Sequence, residues 1–91
     1  MAKLFAFAVR DDKVGAFAPP FFAPAVGMAV RMFGDWCLDP NVVVSKHPQD
    51  YRLYRVGFFD DNEGLFEVGK PELISSGSDH VPVVERIRSV S

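Results

Sequence analysis

Three prolines, Pro19, Pro20 and Pro24, separate two segments of this chain that have different hydrophobic periodicity. Proline has no amide N–H to donate to a sheet, so strand pairing must weaken or stop at Pro19 and Pro20. Pro24 suits the first turn of a helix, where a missing N–H costs nothing. The prolines therefore predict that a strand ends and a helix begins within a few residues.

The residues before the prolines follow the pattern of a β-strand. Residues 4–9 place Phe5, Phe7 and Val9 on one side and the smaller set of Leu4 and two alanines on the other, which is a period of two. The acidic pair and the glycine in residues 11–15 favour a turn. We therefore expect residues 16–18 to return beside the first strand as a short second strand.

The residues after Pro24 follow a helical pattern. Over residues 25–38, apolar side chains recur three or four positions apart and share one face of a helix. These side chains are Val26, Ala29, Val30, Phe33, Trp36 and Cys37. Pro40 predicts that the helix ends near residue 38. We expect Phe33 and Trp36 to be buried against a sheet.

The aromatic residues around the prolines have two interpretations. They either line a ligand site or pack in the core, and an amphipathic helix beside a strand favours core packing. Phe21 and Phe22 are adjacent, however, and in an extended segment they point to opposite sides. We therefore keep Phe21 and Phe22 as a candidate interaction surface, which would also support a homodimer.

The second half of the chain predicts a hairpin. Residues 51–59 and 65–68 read as its two strands, and the polar residues 60–64, which end in a glycine, read as its loop. Because an isolated hairpin is marginal in water, the helix is needed to cover the sheet. We predict an α+β fold, with a small antiparallel sheet of three to four strands and one helix packed across one face. Residues 1–69 form a single domain in this prediction, and residues 70–91 form a C-terminal extension that is partly flexible or an added strand.

Size and charge exclude several classes of protein. A chain of 91 residues with a net charge of −2 is one domain and is not a strongly basic DNA-coating protein. A single cysteine, Cys37, excludes an internal disulfide and a cysteine-based zinc site. No apolar run approaches the ~18 residues of a membrane span, so we expect no membrane partner.

No set of residues predicts catalysis, a cofactor or a metal. Cys37 has apolar neighbours and reads as a small buried hydrophobe rather than a nucleophile. His47 and His80 are isolated, and the acidic residues of loop 60–64 lack the spacing of an EF-hand. We therefore expect a protein that is not an enzyme and that has no cofactor and no metal.

One segment combines basic and aromatic residues. Lys46, Arg52, Tyr54 and Arg55 lie within ten residues of each other, and such side chains on a strand can hold phosphates and stack bases. They are the candidate nucleic-acid-binding residues. Strand alternation places Arg52 and Tyr54 on one face and Arg55 on the other. The competing interpretation is an edge strand with solubilising arginines.

Three stretches in order along the chain, "PPFFAPAVGMAVRMFGD", "DPN" and "SKHPQDYRLYRVGFFDDNEG", resemble the small non-structural protein of the Microviridae. They are most similar to that of the gokushovirus-type phages, which have circular single-stranded DNA. The resemblance covers residues 4–68, and no catalytic residue comes with it.

The resemblance implies an accessory role in viral single-stranded DNA synthesis and packaging, in the cytoplasm of the host cell. The implied partners are single-stranded DNA or replication proteins of the phage or host. An adaptor that binds only replication proteins is the alternative function.

Overall fold

The computed structural model describes residues 3–81, which form one sheet, one α-helix and three short 3-10 helices. The strands are β1 (Lys3–Asp11), β2 (Ala16–Phe17), β3 (Phe21–Ala23), β4 (Tyr51–Asp60) and β5 (Leu65–Ser76). Helix α1 (Val26–Leu38) follows β3, and the 3-10 helices are Val43–Lys46, Pro48–Asp50 and Gly77–His80. The predicted α+β class, with one helix on a small antiparallel sheet, is confirmed.

The centre of the sheet is the antiparallel pair of β1 and β4. β1 pairs with β4 along its whole length, and β4 pairs in turn with β5. The other edge of β1 is shared by β2, which pairs near Asp11, and β3, which pairs around Ala6. Since Phe21–Ala23 returns to β1 after the proline pair, the sheet has five strands rather than three to four.

The turns that follow β1 and β4 share the pattern Asp-Asp-x-x-Gly. The Oδ1 atom of Asp11 accepts hydrogen bonds from the backbone N–H groups two and three residues later, at 3.0 and 3.3 Å. Asp60 does the same at 2.9 and 3.2 Å. The glycine that closes the second turn, Gly64, has a φ of +69°, which other residues adopt only at a cost. The hairpin loop predicted at residues 60–64 is therefore present.

Helix α1 packs on one face of the sheet, and the core lies between them. Phe33 of α1 is fully buried, as are Phe7 of β1 and Leu53 of β4. The other buried members of this core are Val9, Ala23, Ala29, Cys37 and Val44. Trp36 is only half-buried, and its ring centroid lies 5.1 Å from that of Phe21. The apolar side of the predicted helix thus faces the sheet.

Strand β5 departs furthest from the prediction. It runs from Leu65 to Ser76, whereas the pattern of side chains predicted only residues 65–68. Arg55 pairs with Glu72 but Gly57 pairs with Val68, so residues 69–71 form a bulge in the ladder. Because a bulge accommodates a glycine and a proline on an edge strand, the strand continues past them.

The residues after β5 return to the core. The third 3-10 helix begins with a capping box between Ser76 and Asp79. A Cβ atom at Gly77 would overlap the carbonyl oxygen of Pro48, so only glycine allows this close approach. The division expected at residue 69 stays a prediction, since residues 82–91 of the expected extension lie outside the described residues.

Candidate nucleic-acid interface

The side of the sheet opposite α1, here called the outer face, is covered by no helix within residues 3–81. Side chains directly opposite each other in an antiparallel pair share a face. Ala8, which alternates with the buried Phe7, lies opposite Tyr54, and Ala6 lies opposite Gly57. The exposed apolar side chains on the outer face are Phe17, Phe22, Phe66, Val68 and Leu73. This face is therefore rich in accessible rings.

Arg10, Phe17, Arg52 and Tyr54 form a patch at one end of the outer face, here called the Arg–Tyr patch. The rings of Phe17 and Tyr54 meet edge to face, with their centroids 5.4 Å apart. The Arg10 guanidinium lies 5.5 Å from the centroid of the Phe17 ring. Arg10 pairs in register with both Phe17 and Arg52. The patch thus combines two accessible rings with two cations.

Both arginines of the Arg–Tyr patch form ion pairs with Asp12. The Arg10 Nε atom lies 3.0 Å from Asp12 Oδ1, and the Arg52 guanidinium contacts Asp12 Oδ2. All three side chains are about one third exposed. Ion pairs at such positions contribute only about 0–1 kcal/mol, because water screens them. A phosphate could therefore replace Asp12 at either arginine.

The structure brings together only two of the four predicted nucleic-acid-binding residues. Arg52 and Tyr54 share the outer face, whereas Arg55 points to the helix side. There the Arg55 guanidinium lies 5.7 Å from the Phe5 ring centroid and pairs with Glu72. Lys46 is exposed at the end of the 3-10 helix Val43–Lys46, which packs against α1. Arg55 and Lys46 therefore lie apart from the Arg–Tyr patch.

Arg10 and Phe17 were missed because they belong to a different part of the sequence. Each alone is an ordinary strand residue, and only the register of the β1–β2 hairpin places them opposite each other. The turn Asp-Asp-x-x-Gly between them could have indicated this pairing. If the turn joins Asp11 to Ala16, the next pair along the hairpin is Arg10 and Phe17. The pairing of β1 with β4, which brings Arg52 alongside, has no such local signal.

Phe21 and Phe22 point to opposite sides of the sheet, as extended geometry requires. The Phe21 ring packs against Phe7, with a centroid distance of 5.7 Å, and against α1 through Trp36. Phe22 is 41% exposed on the outer face. Of the two residues expected to form an interaction surface, only Phe22 is available on the outer face.

Cys37 and His80, two side chains with reactive groups, pack within the fold. Burial raises the pKa of the Cys37 thiol to about 11, so this thiol is protonated at neutral pH. The His80 ring packs edge-on against Phe33 at 5.5 Å, and its Nε2 atom lies 2.7 Å from Ser75 Oγ. Residues 3–81 hold no cluster of three or more His, Cys, Asp or Glu side chains suited to a metal ion.

In the same described range, no helix has the length and apolar character that a membrane crossing requires.

Comparison with known proteins identifies a phage family. The family model described as "Phage ORF5 protein" matches residues 4–80, which include all of the sheet except Lys3, together with α1 and the whole Arg–Tyr patch. Neither the curated proteins nor the solved structures contain a significant match. The match covers most of the 91 residues, and the chain therefore belongs to the Phage ORF5 protein family.

Proposed function

We propose that this phage protein is a non-structural accessory protein of the Microviridae that binds single-stranded DNA during its synthesis and packaging. It acts in the host cytoplasm by binding and not by catalysis. The observation that carries the proposal is the Arg–Tyr patch, where two arginines flank two accessible rings on the outer face. The family match and the resemblance of residues 4–68 to gokushovirus-type proteins support the viral context.

Single-stranded DNA fits the Arg–Tyr patch because its bases are free to stack. One base stacked on Phe17 or Tyr54 contributes about 1–3 kcal/mol. Arg10 and Arg52 hold neighbouring phosphates once Asp12 releases them, and the exposed ion pairs cost little to break. In duplex DNA the bases are paired and stacked on each other, so they are not available to stack on Phe17 or Tyr54.

The alternative function is an adaptor that binds phage or host replication proteins without touching DNA. One observation favours it, because four basic side chains of the sheet are paired with carboxylates: Lys3, Arg10, Arg52 and Arg55. A surface with its charges neutralised is typical of protein contacts, whose cores are depleted in free charge. The two functions differ in their response to salt.

The test is titration of a fluorescent single-stranded oligonucleotide with the protein, followed by anisotropy over a salt series. Two phosphate contacts predict a slope of about −1.4 in a plot of log K against log salt, at about −0.7 for each phosphate. The double variant Arg52→Ala/Tyr54→Ala should weaken binding by at least about tenfold, because it removes one stacked ring and one cation.

Arg55→Ala is the matched control, since Arg55 lies one residue from Tyr54 but on the helix side. We expect it to leave the affinity within about twofold, provided circular dichroism shows that both variants are folded. Equal losses in the two variants would contradict binding on the outer face. No binding by the unaltered protein at low salt would favour the adaptor.

A further inference from the structure

The end of the outer face away from the Arg–Tyr patch carries a second group of rings. Phe22, Phe59 and Phe66, here called the aromatic cluster, come from β3, β4 and β5. Their ring centroids are 5.8 Å apart for Phe22 and Phe59, 6.1 Å for Phe22 and Phe66, and 4.9 Å for Phe59 and Phe66. Phe66 is 61% exposed and Phe22 is 41% exposed. Rings that contact each other and remain this accessible are a contiguous apolar surface.

Among the strand residues whose pairing is defined, none of those beside the aromatic cluster on its own face is charged. The residues that pair alongside it are Leu4, Ala6, Gly57 and Val68. The charged residues in the paired strands at this end are Lys3, Asp60 and Glu67. They belong to the opposite side, where Lys3 and Glu67 form an ion pair at 2.9 Å. A phosphate would therefore find no cation here, whereas an uncharged apolar surface would meet no repulsion.

We propose that the aromatic cluster is the interface through which two copies of this chain form a symmetric dimer. In a two-fold arrangement the same patch meets itself, so a patch of one charge sign would repel its copy whereas an apolar patch would not. Two sheets packed face to face with their rings interdigitated are a standard arrangement. The helix does not obstruct this approach, because α1 lies on the other side of the sheet.

The area of this half of the face predicts a weak dimer. Four strands about 4.8 Å apart and about six residues of about 3.4 Å each give about 400 Å² per copy. The total of about 800 Å² is below the range of about 1,200–2,000 Å² for stable complexes. We therefore expect a dimer that forms with a micromolar dissociation constant and depends on protein concentration. The Arg–Tyr patches lie at the other end and stay open.

Leu65 and Phe66 provide a matched pair of variants. They are adjacent in β5 and are both 61% exposed, but Leu65 pairs with Asp60 on the helix side and Phe66 pairs with Phe59 on the outer face.

Sedimentation velocity of the full chain from about 1 to about 200 µM should show a monomer–dimer equilibrium. Phe66→Glu should weaken dimerisation at least about tenfold, because two carboxylates would meet at the interface, and Leu65→Glu should not.

Three outcomes would overturn the dimer proposal. The first is a monomer at every concentration. The second is an equal loss of dimer in Phe66→Glu and Leu65→Glu, which would place the interface elsewhere. The third is a monomer whose affinity for single-stranded DNA falls in Phe66→Glu, which would assign the aromatic cluster to nucleic acid. Dimerisation that is retained when Arg52→Ala/Tyr54→Ala abolishes DNA binding would support the proposal and show that the two surfaces are separate.

Discussion

Asp12 determines how much positive charge the Arg–Tyr patch offers to a ligand. Its two carboxylate oxygens are shared between Arg10 and Arg52, so the patch has two cations and one anion. Its backbone N–H is separately bound to the carbonyl of Asp50 at 2.8 Å. The carboxylate therefore affects the charge of the patch without holding the turn, whose cap is Asp11.

Asp12→Asn should strengthen binding to single-stranded DNA by about 3–10-fold, which is about 0.7–1.4 kcal/mol. The substitution removes the anion that competes with phosphate and keeps the shape of the side chain. Asp61→Asn is the matched control, because Asp61 holds the same position in the turn at the other end of the sheet and changes the net charge equally. A gain of equal size in both variants, measured by anisotropy at low salt, would indicate a bulk charge effect and not a site.

Cys37 makes the stability depend on pH in the alkaline range. Burial raises its pKa from 9.0 to about 11, so the unfolded chain loses the thiol proton at a lower pH than the folded chain. This stabilisation is fully present below about pH 9 and is lost as the pH rises through about 11. Between about pH 7.5 and about pH 10, Cys37 should contribute a loss of roughly 1.4 kcal/mol.

The measurement is urea unfolding across that pH range, with Cys37→Ala as the control. The pKa of Tyr51 is also raised, chiefly by burial and by the nearby Asp11. Because Tyr51 is present in both proteins, its contribution to the pH dependence is the same in the unaltered protein and in Cys37→Ala. The free energy of unfolding should therefore fall more steeply with pH in the unaltered protein than in Cys37→Ala. Parallel pH profiles would mean that the thiol is accessible to water.

At the level of elements, only one side of α1 packs against the sheet. Phe33 is fully buried against the sheet, whereas Met28 of the same helix is 50% exposed. Phe33→Ala should lower the free energy of unfolding by about 3–5 kcal/mol, since the ring leaves a cavity between two packed layers. Met28→Ala should cost below about 1 kcal/mol by chemical denaturation. A cost below about 1 kcal/mol for Phe33→Ala would contradict the assignment of the core.

The elements that the sequence predicted are those with a local cause. Alternation of side chains identified β1, the apolar spacing identified α1 to within one residue of its start, and the glycine-ended loop identified the β4–β5 turn. The local sequence does not predict the full length of β5, because the middle of the strand contains Gly69 and Pro71. The segment forms a strand because β4 provides backbone hydrogen-bonding partners along its length. A bulge at residues 69–71 accommodates the extra residues in β5.

The candidate site was predictable to the same degree. Alternation along one strand correctly separated Arg52 and Tyr54 from Arg55. The rest of the Arg–Tyr patch depends on β1 lying between β2 and β4, which joins Phe17 and Arg52 through Arg10. Such long-range pairing is set by the packing of the whole sheet and has no counterpart in the spacing of residues.

At the scale of the whole molecule, the core occupies only part of the sheet. The described chain measures 50 × 24 × 21 Å, which is about twice as long as it is wide. From β4 the core and the partly buried residues packed against it include only Tyr51 and Leu53, and from β5 only Ile74. The other end of the β4–β5 hairpin, which carries the aromatic cluster, therefore extends beyond the layer of α1.

This uneven core predicts uneven stability along the sheet. Amides of β4 near Leu53 should exchange with solvent only on global unfolding, since they pair with the buried part of β1. Amides of the same hairpin in residues 57–68 should exchange at least about tenfold faster at low protein concentration, because no residue of that segment belongs to the core under α1. Hydrogen exchange read by mass spectrometry resolves the two regions.

If the hairpin end dimerises, protection in residues 57–68 should rise with protein concentration, and it should not rise in Phe66→Glu. Uniform protection along β4 would show that the hairpin end is as stable as the core.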